Sequence, residues 1–127
     1  MKKIIVVCTF FALTSCASIK QYIPSSWDAN QAKVATDIKY TASQIDCAGD
    51  MNFQLNQLMM DIKWFNIYSV DKGTEDVHVL MQRLETVVKE YQDRASKEKV
   101  SPLYCDLKKK IIQQQADIIS KTVQGRF

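Results

Sequence analysis

The clearest structural pattern in this chain is EDVHVLMQRLETVVKEY, residues 75–91. Its apolar side chains recur every three or four positions, which is the period of one face of an α-helix. Thr74 precedes it as a candidate N-cap, and Glu75 and Asp76 are acidic residues in the first turn, where the helix dipole favours them. The segment predicts an amphipathic helix that packs against other helices. Its apolar stripe consists of Val77, Leu80, Met81, Leu84, Val87, Val88 and Tyr91.

Three further helical segments accompany this one. Residues 28–46 carry a weak apolar stripe, and residues 50–72 carry a stronger one that ends before Gly73. After the helix predicted over residues 75–91, Ser101 and Pro102 supply an N-cap and a first helical residue for the last segment. No stretch of useful length alternates as a half-buried strand does. The stripes are Val34, Ile38, Thr41, Ala42 and Ile45; Met51, Leu55, Leu58, Ile62 and Phe65; and Cys105, Ile112, Ala116, Ile119 and Val123, with a second stripe of Leu107, Ile111 and Ile118 on the last segment.

Helices of similar length joined by short connections predict an all-α fold, a small antiparallel four-helix bundle. Cys47 leaves an alternative open, because it is in phase with the stripe that begins at Met51 and out of phase with the stripe of Val34 and Ile38. Residues 28–72 could then form one long bent helix. The core would be a three-helix bundle with a protruding N-terminal helix. Gly49 and the change of phase favour a break instead.

The N-terminal segment has the three parts of an export signal. Lys2 and Lys3 supply positive charge, residues 4–13 are predominantly apolar, and small residues precede Cys16. The apolar run contains ten residues, whereas a permanent membrane helix needs about 20. The stretch Leu13-Thr14-Ser15-Cys16 resembles the lipobox of bacterial lipoproteins.

This resemblance implies cleavage before Cys16, a diacylglyceryl group on its sulfur and a fatty acyl chain such as palmitate on its amine. Ala17 follows the cysteine in place of an aspartate, which implies delivery to the outer membrane with the body of the protein facing the periplasm. The predicted organisation is a cleaved signal over residues 1–15, a lipidated cysteine and tether over residues 16–27, and a helical domain over residues 28–127. An ordinary secretory signal with unmodified Cys16 is the alternative.

Export also bears on the chain's cysteines. Cys8 leaves with the signal and Cys16 takes the lipid, so Cys47 and Cys105 remain as a pair in an exported protein, which favours a disulfide. In an up-down-up-down bundle, the end of the first helix and the start of the fourth lie at the same end, so the topology allows this bridge. Its residues are 58 positions apart, and the chain-entropy estimate for such a loop is about 4 kcal/mol. Two free thiols are the alternative.

Composition argues against several classes of function. Losing Lys2 and Lys3 lowers the basic residues from 17 to 15 against 14 acidic ones, a net charge of +1, so we expect no nucleic-acid partner. The one histidine, His78, has no second ligand at metal-site spacing, which predicts no metal and no cofactor other than the covalent lipid. The chain lacks the common nucleophile and phosphate-loop motifs, which predicts a protein that is not an enzyme.

A second apolar face on residues 50–72 is a candidate partner-binding surface. It consists of Met60, Trp64, Ile67 and Tyr68, and it could dock a partner or touch the lipid headgroup zone, where Trp and Tyr are common. Packing of Trp27 and the first helix against this face is the alternative. The sequence thus predicts a non-catalytic envelope lipoprotein, held to the membrane by lipid, that binds or scaffolds an unknown envelope protein. Because it is similar to outer spanin subunits in being a small lipoprotein, a phage- or plasmid-encoded lipoprotein acting in lysis or exclusion is the other candidate.

Overall fold

The computed structural model describes residues 23–126 of the 127-residue chain. Within that range the chain forms four α-helices and no strand. The predicted signal, Cys16, the first part of the predicted tether and Phe127 lie outside the described residues. The helices are α1 (Ala29–Ser43), α2 (Asn52–Lys72), α3 (Glu75–Ala95) and α4 (Pro102–Gln124).

The helices occupy the corners of a square. Both α1 and α3 pack against α2 and α4, whereas the diagonal pairs α1–α3 and α2–α4 have no Cα atoms within 8 Å of each other. Short connections make neighbours along the chain antiparallel. This arrangement confirms the predicted antiparallel four-helix bundle. The three-helix alternative is wrong, because α1 does not protrude but packs against both α2 and α4.

One stripe from each helix fills the core. The stripe of α1 is built largely from alanines, so it buries less apolar area than the other three. Apart from Ile38 and Ile45, the large apolar side chains of the core come from the predicted stripes of α2, α3 and α4. These are Leu55, Leu58, Ile62 and Phe65 from α2, Met81, Leu84, Val88 and Tyr91 from α3, and Ile112, Ile119 and Val123 from α4.

Local signals at three helix ends agree with the predicted boundaries. The Asp28 carboxylate accepts hydrogen bonds from two backbone N–H groups in the first turn of α1. The Ser101 hydroxyl caps α4, with Pro102 as its first residue. Gly73 ends α2 with a φ of +66°, a left-handed conformation that favours glycine. This conformation lets α2 turn into α3 within two residues.

The break between α1 and α2 begins earlier than expected. Helix α1 ends at Ser43, and residues 44–51 connect it to α2. Gly49 lies within this connection and has no positive φ, so it does not stop the helix as predicted. Cys47 lies there too, which explains why its helical phase did not match the stripe of α1.

The predicted disulfide is confirmed. Cys47 and Cys105 are bonded at 1.99 Å, with Cα atoms 5.8 Å apart, and they join the α1–α2 connection to the first turn of α4. Tyr91 lies at the same end and donates its hydroxyl hydrogen to the Met51 sulfur at 2.6 Å. Burial, with the nearby Tyr104 and Asp106, raises the pKa of Tyr91 to about 12.

Removing the disulfide should lower the free energy of unfolding by about 2–4 kcal/mol, because the reduced chain has more conformational entropy when unfolded. Urea unfolding can compare three samples: wild type, wild type with dithiothreitol, and the Cys47→Ser/Cys105→Ser variant. The last two should share one lower midpoint, and reductant should not affect the variant. Three equal midpoints would contradict a stabilising bridge.

Candidate binding face and the tether end of the bundle

The outer side of α2 presents a row of large apolar residues to solvent. Phe53 is 75% exposed, Met60 and Ile67 are each 66% exposed, and Trp64 is 43% exposed. We call these four side chains the α2 face. Their spacing places them along one line of the helix, about 170° around from the core stripe. The structure thus brings three predicted residues onto one surface and adds Phe53, which lies two turns before Met60 and which the sequence reasoning missed.

Tyr68, the fourth predicted residue, lies at the margin of the α2 face and is half-buried. Its hydroxyl donates to the Asp28 carboxylate and accepts from the Asn30 side-chain amide, both at 3.1 Å. Tyr68 therefore packs against α1, as the alternative reading expected, whereas Met60, Trp64 and Ile67 remain exposed. Trp27 is itself 49% exposed.

Trp64 is held in position by Tyr68. The two rings stack with centroids 4.8 Å apart and planes at 12°. The Lys72 ammonium lies 5.5 Å from the centre of the Tyr68 ring, on the same end of α2. A side chain already ordered by stacking loses less entropy when a partner covers it. Trp64 is therefore well placed to serve as the anchor of a binding surface.

Hydrogen bonds along both sides of α2 hold the α2 face outward. Toward α3, the Asn66 amide donates to Glu85 at 2.6 Å, and Asn56 accepts from the Gln92 amide at 3.1 Å. Toward α1, Tyr68 makes the bonds to Asp28 and Asn30. Rotation of α2 about its axis would break these bonds and expose the core stripe. The α2 face therefore cannot become buried in the core without the loss of these hydrogen bonds.

The α2 face is large for a patch on a single small domain. Side chains of this size have about 150–250 Å² of surface each, so their exposed fractions amount to roughly 400 Å² of apolar area. Contiguous patches of that size on monomers often mark interaction sites. A second row on α4 is less continuous, because Ile111 is half-buried and Gln114 interrupts the row before Ile118, whereas Met60, Trp64 and Ile67 follow one another without a gap and are all exposed. The α2 face is therefore the stronger candidate.

The end of the bundle opposite the disulfide contains a buried polar cluster. The Arg126 side chain is 2% exposed, forms an ion pair with Asp76 and donates to the Gln31 side-chain oxygen at 3.2 Å. The Gln31 amide donates in turn to the hydroxyls of Ser69 at 3.2 Å and Thr74 at 2.7 Å. Thr74 thus joins this cluster, and its side chain does not cap α3. The cluster links α1, α2, α3 and the residues after α4.

Ser25, from the predicted tether, also binds this cluster. Its hydroxyl donates to one Asp76 oxygen at 2.6 Å, and its backbone N–H donates to the other at 3.2 Å. Burial raises the pKa of Asp76, but the hydrogen bonds from Ser25 and the charge of Arg126 outweigh it, so the pKa of Asp76 is lowered. No sequence spacing signals these contacts, because Ser25 and Asp76 lie 51 residues apart. We call this end of the bundle the tether end.

The other observations add little about function. Among residues 23–126, no three potential metal ligands form a group, and no helix is both long enough and apolar enough to cross a membrane. No family model, curated protein or solved structure matches this chain. Cys16 lies outside the described residues. The α2 face and the tether end are therefore the two surfaces that bear on function.

At neutral pH, Asp76→Asn should lower the free energy of unfolding by about 2–3 kcal/mol, because it leaves the buried Arg126 without its ion pair. The pKa of Asp76 is lowered in the folded protein. Its carboxylate therefore stabilises the fold above the unfolded pKa of about 4, and this contribution is lost as the pH falls through the folded pKa.

Urea unfolding measured from about pH 6 to about pH 3 should consequently show a smaller loss of stability for the Asp76→Asn variant than for wild type. Asp93→Asn is a suitable control, because Asp93 forms an exposed ion pair with Lys89, which contributes little. Equal pH dependence in wild type and Asp76→Asn would show that the Asp76 pair does not stabilise the bundle.

Proposed function

We propose that this chain is a non-catalytic bacterial lipoprotein that binds another envelope protein through the α2 face. It is anchored to the outer membrane by lipid on Cys16 and faces the periplasm. The exposure of the four apolar side chains of the α2 face supports a role in binding. The lipobox resemblance of Leu13-Thr14-Ser15-Cys16 supports the anchor, and the disulfide between Cys47 and Cys105 suits an oxidising compartment.

The proposed partner presents an amphipathic helix. Phe53, Met60, Trp64 and Ile67, with Gln57 between the first two, follow the alternating spacing of four and three residues found in helix–helix seams. The core stripe of α2 has the same kind of spacing, and it packs against helices. A partner helix with an apolar seam could therefore lie along the α2 face and exclude water from it.

The charged residues beside the α2 face indicate which charges the partner helix would carry and how it would be oriented. By helical position, Lys63 lies on the margin toward α3 and Asp61 lies on the margin toward α1. A complementary helix would carry an acidic residue opposite Lys63 and a basic one opposite Asp61. Such flanking charges contribute mainly to the choice of partner and its orientation, while the apolar seam supplies most of the affinity.

The rest of the bundle suits a rigid support for this face. The disulfide joins α4 to the α1–α2 connection, and the Arg126 cluster joins the helices at the tether end. Both ends of the bundle are therefore held together by side chains that lie away from the α2 face. A surface fixed before binding loses little conformational entropy on association, which favours a scaffold or docking role.

Lipidation of Cys16 is testable in the host cell. Wild type grown with an alkyne-tagged palmitate should incorporate the tag, because the lipobox resemblance implies acylation at Cys16. The Cys16→Ser variant should incorporate none and should leave the membrane fraction. Cys8→Ser is the matched control, since it changes a cysteine within the signal and should be labelled like wild type. Tag incorporation by Cys16→Ser would overturn the proposed anchor.

Binding through the α2 face is testable by crosslinking in intact cells, followed by purification in detergent. A Trp64→Ala/Ile67→Ala variant should recover about one tenth or less of the partner obtained with wild type, because anchor residues of an interface each contribute about 1–2 kcal/mol or more. Leu103→Ala/Leu107→Ala on α4 is the matched control, because both side chains are exposed apolar residues outside the α2 face.

The control variant should recover the partner as wild type does, and all three proteins should have similar urea midpoints. The crosslinked partner peptide should be an amphipathic helix. Equal recovery by the α2 and α4 variants, or a crosslinked segment without an apolar helical stripe, would contradict binding of a helix at the α2 face.

A further inference from the structure

Exposed apolar side chains also gather at the tether end of the bundle. Ile23 is 56% exposed and Trp27 is 49% exposed, and together with Lys72 and Gly73 they line one shallow groove. Val70, 61% exposed, lies in the last turn of α2 at the same end. None of these side chains contributes to the core. Tryptophan, aliphatic residues and lysine on one surface suit the boundary between phospholipid headgroups and acyl chains.

The length of the tether limits how far this surface can lie from the membrane. Ile23 follows Cys16 by only seven residues, which span at most about 24 Å when fully extended. Ser25 is bound to Asp76, so the chain beyond that point adds no reach. For comparison, a helix as long as α2 is about 32 Å long. A lipid on Cys16 would therefore keep the tether end, and not the disulfide end, close to the bilayer.

We propose that the tether end is a membrane-contact surface, with Ile23 and Trp27 seated among the phospholipid headgroups. This inference rests on the proposed lipid anchor. Contact at this end makes the bundle stand with its helices directed away from the membrane. The α2 face then points sideways into the periplasm, where a partner helix can reach it.

The contact is apolar rather than electrostatic. Lys72 lies 3.7 Å from the carboxylate of Asp28, and Arg126 forms an ion pair with Asp76. Exposed acidic side chains, Asp71 and Glu75, flank these basic residues. Acidic groups outnumber basic ones four to two among these residues, so the surface has no excess of positive charge that would require anionic lipids. It should therefore bind a zwitterionic surface as well as an anionic one.

The chain contains two tryptophans, and they report on the two surfaces separately. In the Trp64→Phe variant only Trp27 fluoresces, and in the Trp27→Phe variant only Trp64 fluoresces. Each lipidated variant can be reconstituted in phosphatidylcholine vesicles, with and without phosphatidylglycerol, that carry bromine near the headgroup end of the acyl chains. Trp27 should lose at least about half of its fluorescence to bromine, since it lies at the interface. Trp64 should lose far less.

Flotation of the same vesicles separates this inference from the proposed anchor. A protein that fails to float has no functional anchor, and both proposals fall. A protein that floats while Trp27 remains unquenched overturns the membrane contact and leaves the anchor standing. Equal quenching of Trp64 and Trp27 also overturns it, because the bundle then lies on its side. Quenching of Trp27 only when phosphatidylglycerol is present contradicts the apolar nature of the contact.

Discussion

The structure depends on a geometric constraint: a helix at the corner of a square bundle turns only one of its sides toward the core. Helix α2 carries two apolar sides, and the larger gain in burial comes from the stripe of Leu58 and Phe65, which are fully buried. The other side must then face outward. Hydrogen bonds from Asn66 and Tyr68 hold it there, so the α2 face follows from the way the bundle is built.

The two ends of the bundle are held together by different chemistry. A covalent bond between Cys47 and Cys105 closes one end, where the α1–α2 connection meets α4. At the other end the buried Arg126 binds Asp76 and Gln31, and Ser25 completes the cluster. These interactions let a bundle with an alanine-rich α1 keep a defined shape. They also bring the start of the described chain onto the surface proposed to contact the membrane.

Much of this fold follows from sequence period and helix-end chemistry. The stripe of residues 75–91, the cap at Ser101 and the left-handed turn at Gly73 depend on neighbours a few positions away, which a sequence shows directly. The Arg126 cluster could not be predicted, because its members lie on separate helices and meet only in the folded bundle. The prediction that Gly49 ends α1 was wrong, because the connection from α1 to α2 begins at residue 44, before the glycine.

The central claim is that the α2 face is exposed in the isolated protein and covered in the cell envelope. The reactivity of a single introduced thiol with a membrane-permeable maleimide tests it directly, with Met60→Cys on the α2 face and Thr86→Cys on the exposed side of α3 as its reference. Both thiols should react at similar rates in the purified protein, and only the thiol at position 60 should become protected in intact envelopes. Equal reaction at both positions in the envelope would contradict the account.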